Sequence, residues 1–116
     1  MASAHHEVGR EIRALLEANE ALRAVAVDNR RALTRGLAML ERGTSMAQAM
    51  AQAQVADRRV HLAEVFAEWE YRRHRLRLAV TRDALAEGMT ISELSRAFGF
   101  SRQLGARLAK EAAAQE

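Results

Sequence analysis

The chain has 116 residues and a formal charge of +3 at neutral pH, which allows one domain, or one small domain with an extended element, and makes the chain only mildly basic. It has no cysteine, which excludes disulfides, thiol catalysis and thiolate zinc sites, and no proline, which favours helices almost throughout. No apolar run approaches the roughly 18 residues that span a bilayer, and the amino terminus lacks the pattern of a secretory signal, so we expect a soluble, intracellular protein.

The amino-terminal part of the chain is predicted to be one long helix. Residues 1–6 are expected to be disordered, and apolar side chains then recur at alternating spacings of three and four. This heptad-like stripe predicts a helix over residues 7–42 that packs against another helix. The stripe consists of Val8, Ile12, Leu15, Asn19, Leu22, Ala26, Asn29, Leu33, Leu37 and Leu40.

Asn19 and Asn29 are the polar members of the stripe. A buried asparagine in such a seam prefers a partner asparagine across a symmetric interface, where the pair fixes register and helix number at some cost in stability. In the other interpretation both side chains lie at the edge of the seam in water. The sequence leaves both interpretations open.

The first turn is predicted at residues 43–45, where Ser45 and Gln48 have the spacing of a capping box. A second long helix is expected over residues 45–87, with different partners along its length because its apolar positions change face beyond Val55. The alternative is a break near residues 54–57, where Asp57 can cap a new helix. The later stripe consists of Val55, Leu62, Val65, Phe66, Trp69, Leu76 and Val80.

Residues 89–110 predict two short helices that meet at an angle. Thr90 and Glu93 form a capping box, and Gly99 can take the positive φ that ends a helix. Ser101 can cap the second helix, and Gly88 can end the preceding long one. The apolar positions of this small core are Ile91, Leu94, Phe98, Phe100, Leu104 and Leu108, with Leu78 and Leu85 of the long helix covering them.

This segment resembles the DNA-binding helix-turn-helix of bacterial regulators, and of the resolvase and sigma-factor type in particular. The resemblance covers about a fifth of the chain. It implies that the helix opening at Ser101 enters the major groove and that Arg102 and Gln103 read base edges. One position departs from the family pattern, because Gly105 stands where the family usually has a β-branched core residue. Leu104 and Leu108 can fill the core in place of that side chain. The alternative is a helical hairpin with a purely structural role.

Charge is distributed unevenly along the second half of the chain. Between residues 70 and 110 nine basic residues stand against four acidic ones. A solvated helix face accounts for many arginine runs, but next to a helix-turn-helix such residues can neutralise phosphates. The predicted DNA-binding residues are Ser101, Arg102, Gln103, Arg107, Lys110, Arg96, Arg72, Arg73, Arg75 and Arg77.

Catalysis finds little support in the sequence. His5, His6 and Glu7 are adjacent on the chain, so they do not face one another on a helix, and no third ligand is fixed nearby. His61 and His74 stand apart from any carboxylate cluster, and there is no glycine-rich phosphate loop. We predict no enzyme, no metal site, no cofactor and no small-molecule ligand.

Together these patterns predict an all-α protein. A long helical hairpin forms a coiled-coil-like dimerisation body over residues 7–76. A three-helix DNA-binding unit follows over residues 77–112, and residues 113–116 form a tail. The function expected is that of a homodimeric bacterial DNA binder, a transcription regulator or a nucleoid, phage or plasmid protein, acting on double-stranded DNA in the cytoplasm at the nucleoid. The alternative is a helical interaction or scaffold protein whose hairpin binds a protein partner. The predicted dimerisation residues are Leu62, Phe66, Trp69, Leu76, Leu15, Asn19 and Leu22.

Overall fold

A computed structural model describes the backbone of residues 2–115 and the side chains of residues 5–115. The all-α prediction is confirmed, since the described residues form five helices and no strand. The helices are α1 (Ala2–Glu41), α2 (Met46–Ala53), α3 (Val55–Ala86), α4 (Ile91–Phe98) and α5 (Arg102–Ala114). They divide into two compact units: one takes the chain up to Leu16 and from Tyr71 onward, and the other is Glu17–Glu70.

Helix α1 begins at Ala2, so the disorder predicted for residues 1–6 is wrong for residues 2–6, and Met1 lies outside the described residues. Contacts with α3 account for the early start. The Nδ1 atom of His5 lies 2.7 Å from Asp83 Oδ2, and its Nε2 atom lies 3.3 Å from Glu87 Oε2. Arg82 also binds Glu7. The residues predicted as a tail lie in or directly after α5, apart from Glu116, which is outside the described part of the chain.

The long helix expected over residues 45–87 is broken at Gln54, as the alternative interpretation held. Gln54 has φ +52° and ends α2 in the left-handed conformation, and its N–H donates to Ala51 O at 3.2 Å. Arg58 stabilises the break from the α3 side, because its Nε donates to Ala53 O at 2.7 Å. Ser45 caps α2 as predicted and accepts a hydrogen bond from Gln48 N at 3.2 Å.

The unit Glu17–Glu70 pairs α1 with the first part of α3 in antiparallel fashion. Trp69 Nε1 donates to Asn19 Oδ1 at 2.6 Å near one end, and Arg58 binds Asp28 further along. Asn19 is exposed and has its partner within the same chain, while Asn29 is exposed as well. The buried residues of this unit are few and mostly small: Ala18, Ala32, Met39 and Ala49. Most of its large apolar side chains are therefore left at the surface.

The other unit has a denser core, built where α3 meets α5. Leu78, Leu108 and Ala112 form a buried cluster, and Phe100 and Leu104 pack against it. The covering role predicted for Leu78 is confirmed, whereas Leu85 is only half-buried. The first turns of α1 belong to this unit as well, so it is wider than the predicted span of 77–112.

Candidate nucleic-acid interface

Helix α4 begins where the sequence predicts, at a reciprocal cap between Thr90 and Glu93. Thr90 Oγ1 accepts a hydrogen bond from Glu93 N at 3.1 Å, and Glu93 Oε1 accepts one from Thr90 N at 2.9 Å. The bond from the Thr90 backbone, together with that of the Thr90 side chain, lowers the pKa of Glu93, because both favour its charged form. The cap therefore holds a carboxylate at the start of α4.

The turn between α4 and α5 also has the predicted conformation. Gly99 takes φ +79°, and its N–H donates to Ser95 O at 2.9 Å. Phe100 then points inward, with its ring stacked on Phe98 at 4.9 Å between centroids. Ser101 caps α5 by accepting a hydrogen bond from Leu104 N at 3.1 Å. Two short helices are thus joined by a turn whose every residue has a local structural role.

Gly105 lies where α5 packs closely against α4. It is buried, and a Cβ atom built on it would lie 2.1 Å from Ser95 Oγ and 3.4 Å from Ile91 Cγ2. Ser95 is itself buried and donates from Oγ to Ile91 O at 2.8 Å. Ser95 of α4 therefore occupies the space that a side chain at position 105 would need.

One face of α5 is exposed and polar. Gly105, Leu108 and Ala112 are buried, and the side opposite them is open to solvent. At about 100° per residue the exposed positions span an arc of roughly 140°. They are Arg102, Gln103, Ala106, Arg107, Lys110, Ala113 and Ala114. None of the three cations in this set forms an ion pair with another described residue. The face therefore presents positive charge on a helix whose other side is fixed in a core.

The remaining residues predicted to contact DNA differ in their exposure and in their contacts within the protein. Arg96, in the last turn of α4, is exposed. The four predicted contacts on α3 are half-buried instead, namely Arg72, Arg73, Arg75 and Arg77. Arg75 Nε lies 3.3 Å from Oε2 of the buried Glu11, and the Arg77 guanidinium lies 5.8 Å from the centre of the Phe100 ring. These two side chains hold α3 to α1 and to the turn.

Arg82 has a purely internal role among the described residues. Its Nη1 donates to Ala112 O at 3.2 Å, and its Nη2 binds Glu7. One side chain of α3 thereby joins the last turns of α5 to the first turns of α1. Arg82 belongs to the basic stretch of the sequence, and its two contacts show why not every arginine of that stretch is available to a ligand.

The predicted dimerisation residues are not the most exposed apolar side chains. Leu15, Leu22, Leu62, Trp69 and Leu76 are half-buried by their own chain, and only Asn19 and Phe66 of that set are exposed. Several more exposed apolar side chains lie elsewhere, among them Leu33 and Leu37 near the end of α1 and Met46 on α2.

Two polar clusters were missed in the sequence. His5, Asp83 and Glu87 come together, with ligand atoms all within 4.8 Å of one another, and His74 Nε2 contacts Glu111 Oε2. Asp83 and Glu87 are four apart on one helix face, which is a detectable signal, but nothing in the sequence brings His5 to that face.

No protein-family model, curated protein or solved structure matches this chain. Within the described residues, no helix combines the length and the apolar character needed to cross a membrane.

Proposed function

We propose that α4, the turn at Gly99 and α5 form a helix-turn-helix, and that this protein binds double-stranded DNA with α5 in the major groove. The observation that carries the proposal is the exposed face of α5, where Arg102, Gln103, Arg107 and Lys110 lie together on the side opposite the buried core. The major groove admits an α-helix, and a helix whose opposite side is anchored presents a fixed set of side chains to base edges.

The positions along α5 assign different tasks to its side chains. Arg102 and Gln103 lie in the first turn, where a recognition helix contacts bases, and their side chains suit guanine and adenine edges respectively. Arg107 and Lys110 lie one to two turns further on, where contact with phosphates is expected. Arg96 extends the positive surface onto α4, while Arg75 and Arg77 are committed to protein contacts and act on DNA only indirectly.

The biological role that fits this proposal is that of a homodimeric DNA binder in the cytoplasm, a transcription regulator or a nucleoid, phage or plasmid protein. A second role, as a helical interaction protein, is favoured by the exposed apolar side chains near α2, such as Met46 and Met50. The two roles differ in whether the exposed face of α5 is needed for function.

The test is the binding of a random-sequence duplex, measured by fluorescence anisotropy at low and moderate salt. The proposal predicts binding that weakens with salt, because each phosphate contact releases counterions. Arg107→Ala should weaken binding. Arg31→Ala is the matched control, because Arg31 is also exposed but lies on α1 in the unit Glu17–Glu70. Absence of binding at low salt, or equal effects of the two substitutions, would refute the proposal in favour of the interaction protein.

A further inference from the structure

A large apolar groove lies within the unit Glu17–Glu70, between the last turns of α1, helix α2 and the start of α3. Its volume is about 600 Å³. Six large apolar side chains line it and remain between 42% and 66% exposed: Leu33, Leu37, Leu40, Met46, Met50 and Val55. A contiguous patch of this kind is uncommon on a soluble monomer and is usually covered by a partner.

The floor of the groove is made of small residues. Ala32, Ala49 and Ala53 line it together with Gly36, and a Cβ atom at Gly36 would meet nothing within 4 Å. Glycine in a helix interior costs stability relative to alanine, by about 1 kcal/mol, so a partner that uses the added space offsets that cost. Ridges of leucine and methionine beside a floor of alanine and glycine make the surface complementary to itself.

The apolar side chains of the groove have much to gain from a second copy. Each of the six is at least 42% exposed, and two such patches placed face to face remove each other's apolar surface from water.

Polar groups around the groove also favour a second copy of this chain over an unlike partner. Asn29 lines the groove beside Leu33, and an asparagine within an apolar helix seam pairs best with the same asparagine across a two-fold axis. Residues 17–70 carry seven arginines and eight carboxylates, so two copies of this unit repel each other little. A strongly charged partner, by contrast, would gain little electrostatic attraction, because the charges of this unit nearly cancel.

We propose that this groove is the surface through which two copies of the chain associate, with the Leu33, Leu37 and Leu40 edge of each α1 seated in the groove of the other. The inference names the interface of the homodimer in the proposed function. Of the half-buried residues predicted for that interface, Leu62 lines the groove, whereas Trp69 and Leu76 do not. The inference does not depend on DNA binding.

Sedimentation velocity of the full chain without DNA tests the interface. The parent should be a dimer at micromolar concentration. Leu33→Glu with Leu37→Glu should weaken association by about 100-fold or more, because these are the two most exposed of the six large apolar side chains that line the groove. Val60→Glu is the matched control, since Val60 is 60% exposed in the same unit and does not line the groove. Circular dichroism should be unchanged in both variants, because all three side chains are exposed.

Cysteine crosslinking gives an independent measurement in a chain that has no cysteine of its own. Asn29→Cys should form a covalent dimer on mild oxidation, whereas Val60→Cys should not. A monomeric parent would overturn the inference. So would a dimer that survives both glutamates and does not crosslink through position 29, because its interface would then lie elsewhere. Failure to bind DNA changes neither readout, so the two proposals fail separately.

Discussion

Gly105 of α5 and Ser95 of α4 lie so close that a Cβ on the glycine would be 2.1 Å from the serine Oγ. The two residues therefore share one space, and we expect their substitutions to be coupled. Gly105→Ala should destabilise the protein in the presence of Ser95 and be tolerated beside Ser95→Ala, where the nearest serine atom left is Cβ at 3.4 Å. The coupling in the double-mutant cycle should be about 1–2 kcal/mol.

Urea denaturation followed by circular dichroism measures this cycle, and Gly9→Ala is the control. Gly9 lies inside α1, and its nearest neighbour would be 4.0 Å from an added Cβ, so alanine should stabilise there by up to about 1 kcal/mol. If Gly105→Ala has the same effect as Gly9→Ala, the close approach of the two helices is wrong.

The boundaries of α4 and α5 could be predicted because their causes lie within a few residues. Thr90 and Glu93 cap each other, Gly99 supplies the positive φ and Ser101 caps the next helix, so each signal is complete in the local sequence. The packing of Gly105 could not be predicted in the same way. Position 105 must be small because Ser95 packs against it, and Ser95 lies on another helix. The sequence alone does not show that these two residues are in contact.

The end of α2 and the start of α1 were mispredicted for related reasons. Gln54 takes a positive φ without being glycine. The Arg58 side chain donates to the carbonyl of the preceding residue, Ala53, and also binds Asp28 thirty positions earlier. His5 is held in α1 by Asp83 and Glu87 of α3. Each outcome involves a contact between residues that are far apart in the chain, Arg58 with Asp28 and His5 with Asp83, and local propensity favours the opposite result.

Replacement of Gly99 tests the turn. Gly99→Val should lower the free energy of unfolding by about 1–3 kcal/mol, because a β-branched residue is strained at φ +79°. Gly99→Asn should cost clearly less, since asparagine tolerates the left-handed region. Urea denaturation of the two variants gives the comparison, and equal stabilities would show that φ at this position is not what the valine disturbs.

The cap of α4 should titrate at acid pH. The pKa of Glu93 is lowered in the folded protein, so the stability that its charge contributes is present above the ordinary glutamate pKa of about 4.3 and is lost as pH falls through the lowered value. In ¹H–¹⁵N spectra of the parent, the Thr90 amide resonance should shift as pH falls through the pKa of Glu93. In Glu93→Gln the same resonance should stay constant over that pH range. A shift that persists in the variant would assign the titration to another group.

Arg75 should matter for stability more than for DNA. Its removal leaves the carboxylate of Glu11 buried without its cation, so Arg75→Ala should cost about 1–3 kcal/mol in the free energy of unfolding. Adding Glu11→Gln should recover part of that loss. The earlier prediction that Arg75 contacts phosphates would instead require unchanged stability and a smaller salt dependence of binding, and urea denaturation with duplex titration distinguishes the two results.

The exposed face of α5 gives the functional prediction, which separates base reading from phosphate contact. After a preferred site is selected from a random duplex library, Arg102→Ala or Gln103→Ala should cost about 1–3 kcal/mol on that site and reduce discrimination against a scrambled duplex. Arg107→Ala should weaken both duplexes alike and lower the slope of log K against log salt by about 0.9. The measurement is a titration of each variant against both duplexes at several salt concentrations, with Arg31→Ala as the exposed arginine control. If Arg102 and Gln103 variants bind every duplex as the parent does, α5 does not read bases, and the role of an interaction protein becomes the better account.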